Sequence, residues 1–348
     1  MKLISNNQLV FKQLVDAAAE AFGKSIDEIT KDYFLAVVLS SIAREDKNKY
    51  VVLKGGTSLS KCFHITNRFS EDLDLAIDLS KINNFSKNKC NKIMYYAVAN
   101  ALNNIGFKFS SLDEKRGISE HRAMNIIKVS FPYEISQSEL REYGRIEAET
   151  FSPAYPVTPS CFQSYLGEYI ENEIENSQNI MNNYSELRKF RILAQKPERT
   201  MIDKVFALAD APLRAEDGGD FQSRSRDLYD IVKIDNYLRK QKFSFETFPE
   251  LIEKVRLQRC KQQKTALSSK PGIVPKEAIR KTFSEFYGEL ENDYLRRTKG
   301  LISSKENIME FDELVNNVRK ILNRQEWSIL NKPNPNKDAF RTPFVKLS

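Results

Sequence analysis

The sequence predicts an α/β protein: a small mixed β-sheet flanked by helices, followed by a largely helical C-terminal domain. Three observations predict it. Residues 51–78 pass from a short apolar run, through a glycine pair and a helical stretch, into a strand of alternating acidic and apolar residues. Amphipathic helical repeats precede that stretch and short strand patterns follow it. Beyond Ile231 the chain reads as helices with polar joints.

The elements follow in order. Residues 9–22 and 25–44 read as amphipathic helices, the second opened by a capping box of Ser25 and Glu28. Its Ile29, Phe34, Val37, Val38 and Ile42 recur at helical spacing and are assigned to the core. Val51–Leu53 is a strand, residues 57 onward a helix, and residues 72–77 a second strand. Residues 79–91 are polar and rich in Lys and Asn, which predicts a loop. A helix over 91–105 is closed by Gly106. Strand patterns occupy 107–111, 124–133 and 145–151. Pro153, Pro156 and Pro159 are expected to end the sheet domain, and residues 165–177 and 185–193 read as polar helices. The domain division is set at 1–165 and 166–348. Residues 211–225, rich in Gly, Asp and Arg without periodicity, read as a mobile loop near the site. Residues 251–267 carry Lys254, Arg256, Arg259, Lys261 and Lys264, either a solvated face or a track for an RNA backbone. Further helices are expected over 276–296 and 311–322, and residues 323–348 read as a weakly ordered tail.

Bulk properties bound the function. A chain of 348 residues can bury a sizeable core and hold two domains. Hydrophobic residues make up 41% and charged residues 29%, the balance of a soluble globular protein. The net charge of +7 leans toward a polyanionic partner. The N-terminus lacks the apolar core of a signal peptide, and the most apolar run, residues 33–42, is too short to cross a bilayer. A cytoplasmic protein without a membrane partner is expected. Cys62, Cys90, Cys161 and Cys260 are scattered, and His64 and His121 lie far apart, so neither a disulfide framework nor a zinc site is indicated.

The chemistry concentrates in residues 51–78. Gly55 and Gly56 ahead of Thr57 and Ser58 make a candidate phosphate cradle, because small residues let the backbone approach an anion at a helix start. Asp72 and Asp74 lie two apart on a strand and therefore share a face. Two carboxylates held together call for a cation, and their hard oxygens suit Mg²⁺ or Mn²⁺. Alone, a Gly-Gly-Thr turn is usually only a turn, and an Asp-Leu-Asp-Leu strand usually a solvated edge. At this spacing the pair points to transfer of a nucleotidyl group.

These residues, LKGGTSLSK followed by RFSEDLDLAI, resemble the core motif of the AbiEii/AbiGii-type nucleotidyltransferase toxins, which include the MenT enzymes, within the polymerase-beta-like nucleotidyltransferase superfamily. Flanking Lys54, Leu59, Lys61, Arg68, Phe69, Ser70 and Glu71 agree as well. The resemblance implies a nucleotidyltransferase-type sheet domain with its site in a cleft against the helical domain. It also implies an NTP-binding set of Lys54, Gly55, Gly56, Thr57, Ser58 and Lys61, and metal ligation by Asp72 and Asp74. A third metal carboxylate is expected on a neighbouring strand, with Glu147 the first choice and Glu149 the reserve. A second signature, Pro-Glu-Arg-Thr through Arg-Asp-Leu-Tyr-Asp over residues 197–230, matches the family's essential lysine and aspartate at Lys204 and Asp227. Asp230, three residues on, shares the face of Asp227, and one of the two is a candidate to hold Lys204 or Arg226 in place or to act as the base that activates the attacking hydroxyl. The implied activity is Mg²⁺-dependent transfer of NMP from an NTP to an RNA hydroxyl, the tRNA 3′ end in characterised relatives, by a toxin with a separately encoded antitoxin or in phage defence. The alternatives are transfer to a small-molecule or protein hydroxyl, and a binding module without turnover.

Overall fold

The computed structural model describes residues 2–82, 86–112, 118–120, 126–133, 140–150, 153–262 and 265–334. The chain forms two compact units. One comprises Met1–His64 with Phe69–Gln195, the other Ile65–Arg68 with Lys196–Ser348. The division falls later than 165 because residues up to Gln195 still add strands to the sheet.

The first unit opens with helices α1 (Lys2–Asn6), α2 (Gln8–Phe22) and α3 (Ile26–Glu45). The Ser25 hydroxyl accepts from the Glu28 N–H at 3.1 Å, and the Glu28 carboxylate accepts from the Ser25 N–H at 2.8 Å. Both arms of the expected capping box are therefore made. Ile29, Phe34, Val38, Leu39 and Ile42 are fully buried along α3, so this helix is the spine of the core. Next come β1 (Val51–Lys54), α4 (Gly55–Lys61), β2 (Asp72–Ile77), α5 (Lys87–Asn104), β3 (Phe109–Ser111), β4 (Ile126–Ser130) and β5 (Tyr143–Ala148). The unit is completed by β6 (Val157–Phe162), α6 (Tyr165–Glu173), α7 (Ser177–Asn183) and β7 (Phe190–Gln195).

The seven strands form one sheet in the order β3-β4-β5-β2-β1-β7-β6. β2 pairs β5 in parallel and β1 pairs β7 in parallel; the other neighbours are antiparallel. Its two faces differ, as strand alternation requires. Leu53, Leu73, Leu75, Ile127, Val129 and Ile146 point into a core shared with α3 and α5. Lys54, Asp72, Asp74, Lys128, Arg145 and Glu147 alternate with them and stay half-buried or exposed. One face holds the fold together and the other is left for chemistry.

Several expectations need correcting. The prolines do not end the sheet: β6 runs through Pro159, which is tolerated because β6 is an edge strand and needs no N–H on its outer side. Residues 185–193 are not a helix but a 3₁₀ turn, Ser185–Leu187, leading into β7, where pairing with both β1 and β6 outweighs the helical pattern. The polar stretch 79–91 forms a 3₁₀ turn at Leu79–Lys81 and then starts α5 at Lys87, because the Ser86 hydroxyl accepts from the Lys89 N–H at 3.2 Å. His121, Met124, Asn125 and Phe151 lie outside the described residues.

The second unit contains α8 (Pro197–Glu216), α9 (Ser225–Lys240), α10 (Phe248–Gln262), α11 (Pro275–Ser284), α12 (Tyr287–Asp293) and α13 (Phe311–Leu322), with a π-helical turn at Tyr294–Thr298. The expected loop over 211–225 is half helix: α8 continues through Pro212 to Glu216, anchored by buried Leu208, Ala209 and Ala211. The basic helix is not a uniformly solvated face. Arg256 pairs with Glu253, Arg259 with Asp210 at 2.5 Å, and both arginines are buried. Lys254 and Lys261 are exposed, and Lys264 lies outside the described residues. The tail is partly built as well. Gln325–Asn331 is a 3₁₀ helix that buries Trp327 and Leu330, with the Trp327 ring 5.0 Å from Phe248; residues 335–348 lie outside the described set.

Candidate active site

In the first unit the register of the sheet assembles the carboxylates. Asp74 on β2 stands beside Lys54 on β1 and Glu147 on β5, in one row across three strands. The next row pairs Asp72 with Arg145 and Arg145 with Lys128. Asp72, Asp74 and Glu147 therefore share the polar face of the sheet. Glu149, just past the end of β5, is instead paired with Lys54 at 2.5 Å. Of the two candidates for a third carboxylate, Glu147 is the one in register with Asp74.

Gly55 explains why a glycine stands at the end of β1. Its φ of +73° is in the left-handed region, and a Cβ there would meet Asp74 Oδ2 at 2.0 Å. The missing side chain is the space that the Asp74 carboxylate uses. Thr57 and Ser58 are buried, and their hydroxyls are committed within the motif. Thr57 Oγ1 donates to the Asp72 carbonyl at 2.5 Å, tying α4 to β2, and Ser58 Oγ donates to the Gly55 carbonyl at 2.9 Å. Gly56 is buried beside them. Lys61 requires a correction. Its ammonium lies 3.0 Å from Glu168 and 3.6 Å from Asp32, and 3.2 Å from the centre of the Tyr165 ring. It is buried and anchors α4 against α3 and α6. Its ammonium is committed to these acidic and aromatic partners.

The electrostatics of the cluster centre on Asp74. Burial, then the Glu147 charge, with Asp72 and Glu149 adding to it, pushes the Asp74 carboxyl up to about 7 against the pull of Lys54. Its neighbours are held by arginines. Arg141 Nη1 lies 2.8 Å from Asp72 Oδ1 and 3.0 Å from Glu71 Oε1, and Arg145 Nη2 lies 2.6 Å from Glu147 Oε1. Among the described residues no three His, Cys, Asp or Glu side chains converge as a metal site; Asp72 and Glu147 are each engaged by an arginine. The donor types, the hard carboxylates of Asp72, Asp74 and Glu147 on one sheet face, suit Mg²⁺ or Mn²⁺.

The second unit contains a buried charge network. Lys204 Nζ on α8 lies 2.7 Å from Asp227 and 2.8 Å from Asp230, both on α9. Asp227 and Asp230 are three apart on one helix face, so both reach the same ammonium. Arg68 closes the network, with Nε 2.7 Å from Asp230 Oδ1 and Nη2 2.6 Å from Oδ2. Burial works against the Lys204 charge, but Asp227 and Asp230 outweigh it and raise its pKa.

The sequence reading missed Arg141, Arg145 and the joining of Arg68 to Asp230. Arg68 lies within the motif, a signal that it matters but not of its partner. Arg141 sits in a stretch with no periodicity and left no signal.

An acidic sheet face over a glycine turn, with a half-buried lysine beside it, is equipment for moving a phosphorus-centred group from a nucleotide. The comparisons agree with that class. The family described as "Nucleotidyl transferase AbiEii toxin, Type IV TA system" matches residues 37–317. The chain belongs to this family of nucleotidyltransferase toxins. Among solved structures, the chain is similar to MenT4, a nucleotidyltransferase toxin from Mycobacterium tuberculosis H37Rv, at 15% identity and a TM-score of 0.37, covering 88% of this chain and 98% of that one. A likeness of that degree carries no argument. No curated protein matches the chain. Among the described residues no helix is long and apolar enough to cross a membrane.

Proposed function

We propose that the protein transfers a nucleoside monophosphate from an NTP to an RNA hydroxyl, with the 3′ end of tRNA as the leading acceptor, and that a divalent cation, Mg²⁺ in the first instance, is required. The observation that carries the reading is the common sheet face of Asp72, Asp74 and Glu147, set by the β2–β5 register. In this reading Asp72, Asp74 and Glu147 would hold the cation, which would supply Lewis acidity to the phosphoryl oxygens and lower the pKa of an attacking hydroxyl. Asp74, whose carboxyl is held high by burial and then by the Glu147 charge, would gain from a cation beside it. Gly55 and Gly56 let the backbone approach the triphosphate. Thr57 and Ser58 keep that turn in shape through their hydrogen bonds. Lys54, beside Asp74 on β1, adds positive charge toward the phosphates. Lys204 is assigned to phosphate charge as well, and Asp227 to holding its ammonium. The net charge of +7 suits a polyanionic acceptor. Family membership implies an antitoxin encoded with the toxin, and arrested growth is the proposed outcome of blocking the acceptor end.

The test is incubation of the purified protein with Mg²⁺, each α-labelled NTP in turn and total cellular RNA, beside Asp72→Ala. Label in a tRNA-sized band, lost in the variant, is the expected result and names the nucleotide. Label only in protein or small molecules would overturn the RNA acceptor and retain the transferase.

A further inference from the structure

The two arginines on the carboxylates have no part in the reading above, and Arg141 is the better placed to act. Its backbone is fixed on both sides: its N–H donates to Glu71 Oε2 at 3.2 Å, and its carbonyl accepts from Lys31 Nζ at 2.7 Å. Lys31 is fully buried and also donates to Glu71 Oε2 at 2.7 Å. The root of Arg141 is thus held by a buried ion pair, whereas its side chain is 29% exposed. That head bridges two unlike carboxylates. Glu71 is already bound by Lys31 and is a permanent anchor; Asp72 carries the charge a cation needs.

The charge balance makes the arrangement exchangeable. Asp72, Asp74, Glu147 and Glu149 face Lys54, Arg141 and Arg145, so the cluster is close to neutral without any metal. A divalent cation added to the carboxylates leaves guanidinium charge uncompensated at the place where phosphates arrive. A planar guanidinium with five donors matches phosphate oxygens as well as it matches a carboxylate.

We propose that Arg141 is a ligand of the nucleotide's phosphates, held in reserve on Asp72 until a divalent cation takes that carboxylate. It keeps Glu71 as its pivot and turns its remaining N–H groups to the phosphate. The inference rests on Asp72 as a metal ligand, and the experiment separates the two ideas.

Mn²⁺ binding by the full-length protein is measured without nucleotide, for wild type, Arg141→Gln and Asp72→Asn. Binding of a non-hydrolysable NTP analogue is then measured with saturating Mn²⁺. Arg141→Gln leaves the backbone bonds to Glu71 and Lys31 available, and circular dichroism checks its fold; Arg141→Met, also uncharged, serves in its place if the glutamine variant is misfolded. The expected results for the Arg141 variant are opposite in sign. Mn²⁺ binds several-fold more tightly, since a competitor for Asp72 is gone, and the analogue binds roughly tenfold more weakly, the size of one charge-assisted hydrogen bond. Unchanged Mn²⁺ affinity, or an unweakened analogue, overturns the role of Arg141. Mn²⁺ affinity unaffected by Asp72→Asn overturns the metal reading beneath it.

Discussion

Asp230→Asn is expected to destabilise the second unit more than any surface change could, and the structure supplies the magnitude. Asp230 is wholly buried and receives two hydrogen bonds from Arg68 and an ion pair from Lys204. Burial alone would push its carboxyl up, but Arg68 and Lys204 outweigh burial and hold it at about 2, below the ordinary 3.8. That gap corresponds to about 2 kcal/mol of preference for the ionised form. Replacing the carboxylate costs more, because Arg68 and Lys204 then remain buried with too little negative charge; breaking one side of a buried pair costs ~3–5 kcal/mol. Asp227 still faces Lys204, which sets the expectation near the lower end. Because the folded pKa is depressed, the stabilisation is present above pH 4 and is lost as pH falls toward 2. Trp327, the chain's single tryptophan, is buried in this unit, so its fluorescence in a urea titration reports the unit's unfolding directly. The asparagine variant should lose ~3 kcal/mol at pH 7, and the difference from wild type should shrink between pH 4 and pH 2. A loss under ~1 kcal/mol, or a difference independent of pH, would refute the network as a source of stability.

Gly55→Ala should destabilise the first unit and abolish transfer, since the new Cβ would overlap Asp74 Oδ2. Gly106→Ala has a similar φ of +74° but open space at its Cβ, so it should cost only ~1 kcal/mol by thermal melting; equal costs for the two would disprove the steric account. In metal-free protein the raised Asp74 pKa means the folded state holds a proton that the unfolded chain releases near pH 4. Stability therefore falls as pH rises from about 4 to about 7, and Asp74→Asn should flatten that fall in chemical denaturation across the range. Ser25→Ala removes the hydroxyl of the α3 capping box and should cost about 1 kcal/mol, read as a lower melting temperature with transfer activity retained.

Much of the fold was legible because its signals are local. The capping box of α3, the bounds of β2, and the glycine pair that opens α4 directly after β1 each depend on residues a few positions apart. Periodicity and capping chemistry operate at that range, so Ser25, Asp72 and Gly55 could be read directly. Family resemblance added Lys204 and Asp227, which local rules alone treat as an ordinary surface pair. Residues 185–193 and the proline stretch misled because their patterns are weak and the sheet supplied the deciding hydrogen bonds through β1, β6 and β7.

The sequence by itself determined that two aspartates would share a strand face, that a glycine would precede them, and that a helical domain would follow. The tertiary structure alone decided who answers those charges. Glu147 rather than Glu149 stands beside Asp74 because β2 and β5 pair in one parallel register. Arg141 reaches Asp72 across 69 positions, and Arg68 reaches Asp230 across 162. Charge has no periodicity along a chain, and a carboxylate's partner is chosen by which backbones the core brings within hydrogen-bond distance. Lys61 shows the same limit from the other side: a lysine within the motif whose ammonium is taken by Glu168 and Asp32, partners distant in sequence.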